Sequence, residues 1–336
     1  MSPEVGEAIA RATRLDVGAL VIRRRTAMPH QANRLYDIWA DDQHLIAKEY
    51  LSDIERDGPA NEYRALHLVR HLDVAPRPVF FDPSVGRVVV YAFLEGEMWD
   101  RRVPSAAELE ALAEVWVDVQ ALPIDGVWMA RGQAQHRPTL VARLSAPIER
   151  YASWAASRDA TRRKAADVCV KALERGLADG LTLIPEVAPL SFCRSDPRFA
   201  NIIARPDGRI GLVDWEDSGL RDPARELADL MHHPNQEDLL DSEGWRPFLD
   251  RYLPTRTVDH SFGERLRGYL ALFPVFWLGM LLAEGMDRVE SARLEGWLVN
   301  DLDPNLRLRR YIARGLAWPS LDPSDSLSDV ADIAFF

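Results

Sequence analysis

Three residues between Leu190 and Ala228, LSFCRSDPRFANIIARPDGRIGLVDWEDSGLRDPARELA, have the types and spacing to do chemistry: Asp196, Asn201 and Asp214. Ile202-Ile203-Ala204 and Ile210 to Val213 flank an Asp207-Gly208 pair, a pattern that predicts a β-hairpin with a two-residue turn. In that register Asn201 stands directly opposite Asp214, with Cβ atoms about 4.5–5.5 Å apart on one face. An amide oxygen and a carboxylate so placed can share a hard cation such as magnesium. Asp196, five residues before Asn201, falls on the loop at the same end.

Asp196-x-x-x-x-Asn201 followed by Asp214 has the spacing of a kinase catalytic loop and its metal-binding Asp. With Val213-Asp214-Trp215 and Arg221-Asp222-Pro223-Ala224…Glu226-Leu227-Ala228, the stretch resembles the aminoglycoside phosphotransferase and choline kinase family. These are small-molecule kinases with a protein-kinase-like fold. The resemblance implies Asp196 as the catalytic residue, Asn201 and Asp214 as metal ligands, and Asp222 as a brace of the catalytic loop. One departure stands out: the family usually has His two residues before the catalytic Asp, and here that residue is Arg194. Arg194 can brace the same loop by donating to carbonyls or by pairing with Asp222.

The whole chain limits what these residues can serve. Its 336 residues allow two sub-domains with sizeable cores. Apolar and charged contents of 47% and 28% are those of a soluble globular protein. A formal charge of −11 argues against nucleic acid or an anionic membrane as partner, and permits a cationic substrate. Cys169 and Cys193 make no disulfide framework or metal-ligand spacing, and no apolar leader opens the chain, so a cytoplasmic protein is expected. The longest uncharged run, Gly268 to Ala283, is shorter than the ~20 residues of a membrane span and reads as a buried helix.

The elements that must position the site follow in order. Residues 3–13 suit a short helix; Ala19 to Arg25, Arg34 to Ala40 and His44 to Leu51 read as strands. The loop from Ala27 to Asn33, which in the family covers the phosphates, has no glycine; Asn33 begins the family's entry to the second strand. Lys48 matches the third-strand lysine that holds the α- and β-phosphates. In the helix Asn61 to Leu72, Glu62 lies on or beside the apolar stripe of Ala65, Leu66 and Val69, where a carboxylate needs a partner. Lys48 is that candidate; otherwise Glu62 edges out to solvent. Strands at Arg77 to Phe81 and Arg87 to Leu94 follow. The resemblance makes Phe93-Leu94-Glu95-Gly96 the hinge, with the backbone of Ala92 and Leu94 meeting adenine.

Beyond the hinge the pattern is helical. Ser105-x-x-Glu108 is a capping box, helices are expected at Pro138 to Ala156 and Asp159 to Leu177, and Asp222-Pro223 is a helix start. Trp245 to Tyr252, Phe262 to Glu284 and Arg288 to Leu316 complete the set. His232-His233 reads as structural rather than metal-binding. The stripe of Phe273, Phe276, Trp277 and Met280 suits core packing or an aromatic wall for a cationic substrate.

The expected fold is α+β and two-lobed. An antiparallel-sheet N-lobe with one key helix occupies 1–94, a helical C-lobe with the catalytic loop and acceptor site 95–318, and an acidic tail 319–336. The expected activity is transfer of the γ-phosphoryl group of ATP, or alternatively GTP, with Mg2+ to a hydroxyl of a small molecule, cationic ones included. The other reading is a nucleotide-binding pseudokinase acting as a regulatory or partner-binding module.

Overall fold

The computed structural model describes residues 2–26, 33–40, 42–51, 57–100, 102–130, 137–291, 307, 310–312 and 314. The glycine-free loop at 27–32 and the acidic tail at 319–336 lie outside the described residues, as does most of the segment from 292 to 316. The chain forms two compact units, each discontinuous in sequence. Unit 1 comprises Met1–Asp100, Asp118–Arg131 and Phe192–Leu220; unit 2 comprises Arg101–Val117, Gly132–Ser191 and Arg221–Phe336.

Unit 1 begins with α1 (Pro3–Thr13), whose first turn carries Pro3 and is capped by the Ser2 side chain accepting from Val5 N–H. Then come β1 (Val21–Arg24), β2 (Asn33–Ala40), β3 (Gln43–Tyr50), α2 (Gly58–Val69), β4 (Pro78–Phe81) and β5 (Val88–Ala92). The strands form one antiparallel sheet in the order β1-β2-β3-β5-β4. Strand residues alternate between faces, so Tyr36, Ile38, Leu45, Ala47, Val88 and Val90 share one side. They bury it against Val5, Ala8 and Ile9 of α1. The alternate pairs Leu35↔Lys48, Asp37↔Ile46 and Trp39↔His44 lie on the opposite face. That face receives Lys48.

The rest of unit 1 is built from very short strands. β6 (Glu97–Met98), β8 (Ile202–Ala204) and β9 (Ile210–Leu212) make a three-stranded sheet, and β7 (Ser191–Cys193) pairs with β10 (Gly219–Arg221). β6 and β10 are too short to show a period, and sequence reasoning did not find them. Gly96 lets the segment after β5 approach β8: its φ is +146°, and a Cβ there would fall on the Ala204 carbonyl oxygen.

The hairpin differs from expectation by one residue. Its ladder is Ile202↔Leu212, Ile203↔Gly211 and Ala204↔Ile210, and Val213 N–H donates to Asn201 O, so Asn201 faces Val213 rather than Asp214. The cause is Pro206. A two-residue turn at Asp207-Gly208 needs left-handed backbone at both residues, whereas only Gly208 takes it, at φ +81°. Arg205 and Arg209 close a three-residue loop instead, through Arg205 N–H to Arg209 O at 2.9 Å and Gly208 N–H to Arg205 O at 3.0 Å.

Unit 2 is helical: α3 (Ala106–Gln120, its last turn in unit 1), α4 (Arg137–Ala156), α5 (Ala160–Leu181), α6 (Pro223–His232), α7 (Ser242–Tyr252) and α8 (Phe262–Ser291). α4, α5 and α8 pack on one another, and α6 packs on α8. The capping box forms, with Ser105 N–H donating to Glu108 Oε2 at 2.7 Å and Glu108 N–H to Ser105 Oγ at 3.3 Å. α8 continues to Ser291, past the Arg288 where a separate helix was expected. Its Phe262–Asp287 stretch is long and apolar enough to cross a membrane, but 83% of the apolar window is buried within the protein. Phe273 and Trp277 lie in that buried part.

Candidate active site

The charged centre of unit 1 forms around Lys48. α2 buries Glu62 beside Ala65, Leu66 and Val69, so the carboxylate needs partners. It has three: Lys48 Nζ at 2.9 Å from Oε2, the Tyr50 hydroxyl on the same oxygen, and Trp215 N–H donating to Oε1 at 3.3 Å. Lys48 Nζ also stands 2.5 Å from Asp214 Oδ1 and 2.8 Å from Glu216 Oε2. One ammonium therefore serves three carboxylates, whose oxygens lie within 4.8 Å of one another. Burial would lower the Lys48 pKa, but Asp214 and then Glu62 outweigh it and hold the ammonium well above its ordinary range.

Asp214 arrives there by backbone strain. It follows the end of β9 at φ +65°, a left-handed conformation that Asp tolerates better than most residues. The kink breaks the strand alternation, and the carboxylate meets Lys48 despite the shifted hairpin register. Arg194 secures the turn: its Nη1 donates to Val213 O at 3.1 Å and to Asp214 O at 3.4 Å, and its side chain is buried. The carbonyl partners suggested for Arg194 are thus supplied by the kinked residue and the one before it. Burial works against the Asp214 carboxylate, yet Lys48 and then Arg198 bring its pKa well below the usual range.

Asp196 lies one residue beyond Ser195, itself left-handed at φ +73°. Its Oδ2 accepts from Asn201 Nδ2 at 2.7 Å and from Arg198 Nε at 3.1 Å. Arg198 Nη2 reaches Asp214 Oδ2 at 3.3 Å. Asn201, Asp196, Arg198 and Asp214 therefore form one connected chain of polar groups.

Glu216 is the residue that sequence reasoning missed. The available signal was a second acid two residues after Asp214. Burial, and then Asp214, push its pKa up to about 8, while Lys48 opposes the rise. Asn33 joins the same group by donating from Nδ2 to Glu216 Oε2 at 3.1 Å. The remaining expected residues sit elsewhere. Ala92 gives its N–H to Arg77 O at 2.9 Å, and Leu94 packs over Gly211. Asp222 caps α6 by accepting from Ala224 N–H at 3.0 Å and pairs bidentately with buried Arg265, at 2.9 and 3.1 Å. His232 is buried at the end of α6, and the His233 ring meets Trp277 edge-on at 4.6 Å.

The donor set suits a small hard cation. Asp214 and Glu216 offer carboxylate oxygens, Asn201 can offer an amide oxygen, and carboxylates outnumber the lysine between them. An antiparallel sheet carrying Lys48, the Asp-x4-Asn loop and the following Asp214 are also the combination that the sequence resemblance implied. The model of the phosphotransferase enzyme family (APH) matches residues 26–268.

The chain belongs to that family.

It is an enzyme, a phosphotransferase of the small-molecule kinase type. Solved structures share its fold at low identity. The choline kinase LicA from Streptococcus pneumoniae is 19% identical with a TM-score of 0.58, covering 94% of this chain and 98% of its own. An ethanolamine kinase of Plasmodium vivax is 14% identical with a TM-score of 0.58, covering 90% and 82%. Spectinomycin phosphotransferase, solved with ADP and spectinomycin, is 11% identical with a TM-score of 0.64, covering 99% and 98%. No curated protein matches the chain.

Proposed function

We propose that this phosphotransferase moves the γ-phosphoryl group of ATP, with Mg2+, to a hydroxyl of a small molecule. The observation that carries the reading is the meeting of Lys48 with Glu62, Asp214 and Glu216, joined through Arg198 to Asp196 and Asn201. Lys48, oriented by Glu62, holds the α- and β-phosphates. Asp214, Asn201 and Glu216 hold the metal, which when bound neutralises charge on the phosphate oxygens. Asp196 accepts or orients the proton of the acceptor hydroxyl, in an orientation set by Arg198 and Asn201. Phosphoryl transfer asks for placement and electrostatics more than for covalent help, and a cluster this heavily paired supplies both.

A choline-like amine, an aminoglycoside or another polyol is a suitable acceptor, since each presents a hydroxyl and the chain is acidic overall. The test is ADP release, coupled to an indicator enzyme, with each acceptor in turn and with Mg2+ or EDTA. Acceptor-dependent release that EDTA abolishes is the expected result. Turnover undiminished by EDTA, or absent for every hydroxyl acceptor while an amine or thiol is phosphorylated, would contradict the proposal.

A further inference from the structure

The three carboxylates around Lys48 stand close enough to take a single metal ion together, since each brings an oxygen within 4.8 Å of the others. A divalent ion attracts a carboxylate more strongly than an ammonium does. Glu62, left to itself, would follow the metal and leave Lys48 without the partner that orients it. Something must therefore divide the acids between the lysine and the metal.

The three acids are held differently. The Glu62 side chain is 1% exposed, against 22% for Asp214 and 14% for Glu216. The Asp214 carboxylate meets Lys48 and Arg198, long side chains that can turn aside, and the donors on Glu216, Lys48 and Asn33, both meet Oε2. Glu62 is bound on both oxygens, and Tyr50 supplies one of the donors. Tyr50 is two residues beyond Lys48 on β3, so it projects from the same face. Its hydroxyl donates to Glu62 Oε2, which Lys48 Nζ meets at 2.9 Å, and Trp215 N–H donates to Oε1 at 3.3 Å. Two donors on Oε2 use both of its lone pairs. The Tyr50 ring also faces the lysine, with Nζ 4.8 Å from its centroid. Burial and then Glu62 raise the hydroxyl's pKa well above its ordinary value, which keeps it a donor at any working pH. Core packing alone asks only for the ring. The hydroxyl is placed where it closes Glu62 to a metal.

We propose that Tyr50 is a positioning residue that reserves Glu62 for Lys48, leaving the metal to Asp214 and Glu216. The proposal rests on the reading of Asp214 and Glu216 as metal ligands, and the test separates the two. Mn2+ alone, without nucleotide, is titrated calorimetrically into the wild type, Tyr50→Phe, Glu62→Gln, Glu216→Gln, Asp214→Ala and the double variant Tyr50→Phe/Glu62→Gln. Tyr50→Phe keeps the ring and loses the donor. It should bind Mn2+ about tenfold more tightly than the wild type, because a third carboxylate becomes free to join the ion. The gain should vanish in the Glu62→Gln background, as it must if it comes through Glu62. Glu62→Gln and Glu216→Gln remove the same charge, yet Glu62→Gln should weaken Mn2+ about tenfold less.

Unchanged Mn2+ binding by Tyr50→Phe, in a protein that melts like the wild type, would make the hydroxyl a packing detail and overturn the proposal. A gain that persists beside Glu62→Gln would also overturn it. So would equal losses in Glu62→Gln and Glu216→Gln, a comparison that holds even where Tyr50→Phe fails to fold. Wild-type Mn2+ binding by Asp214→Ala would instead overturn the metal reading beneath it.

Discussion

In the proposed reaction Asp196 is the reacting side chain, and Arg194 is a support. Asp196 is half-buried and held on Oδ2 by Asn201 and Arg198, an arrangement that fixes the carboxylate's orientation. Asp196→Asn should lower kcat by roughly 10²–10⁴-fold, the range for removing a positioned base, with ATP affinity nearly intact. Steady-state rates and an ATP titration check both halves. Arg194 supports Asp214 by bonds to backbone carbonyls. Arg194→Met leaves those acceptors unmet and should cost roughly 1–3 kcal/mol in denaturant unfolding; Arg194→His, still a donor, should cost less and keep turnover. Loss of turnover in a folded Arg194→His protein would mean that the guanidinium touches the reacting groups.

At the scale of elements, the site depends on how strands present their faces. α1 seals one side of the sheet through Ile9, which is fully buried among Tyr36, Ile38 and Val90. Ile9→Ala should destabilise the protein by about 2–5 kcal/mol, read from the chemical midpoint, although it lies on the face away from Lys48. Asp222→Ala removes the α6 cap and strips buried Arg265 of a bidentate partner, so about 3–5 kcal/mol should be lost.

Much of this scaffold was legible in residue patterns. The strands read at Arg34 to Ala40 and His44 to Leu51 fall within one residue of β2 and β3, Asp222-Pro223 marked the start of α6, and a carboxylate on the apolar stripe of α2 pointed to the Lys48–Glu62 pair. What was not legible has physical reasons. A strand of two residues such as β6 has no period. Pro206 moved the hairpin by one residue, and only the left-handed backbone of Asp214 brings that carboxylate to Lys48. Glu216 and a stack of the Trp39, His44 and Phe93 rings depend on cross-strand neighbours that a linear reading does not align.

Over the whole molecule, charge and burial make stability depend on pH. His232 is buried at the end of α6, and burial, with Arg314 nearby, holds its pKa well below 6.5. Below pH 6.5 the unfolded chain therefore binds a proton that the folded chain refuses, and stability falls on acidification, by up to about 1.4 kcal/mol per pH unit. Glu216 acts in the opposite sense. Its raised pKa favours the folded state in acid, and that contribution fades as pH rises through about 8. The histidine is isolated by difference: between pH 6.5 and 5, melting temperatures of His232→Gln should slope less steeply downward, or more steeply upward, than those of wild type. Parallel slopes would mean that His232 does not titrate on unfolding.

The central claim is that the carboxylates around Lys48 form a nucleotide–metal site, and ATP titration with and without Mg2+ tests it most directly. Wild type should bind ATP at least about tenfold more tightly with Mg2+, and Asp214→Ala should lose that increment while keeping its metal-free affinity. Equal wild-type affinity in the two conditions, or an unchanged magnesium increment in Asp214→Ala, would contradict it.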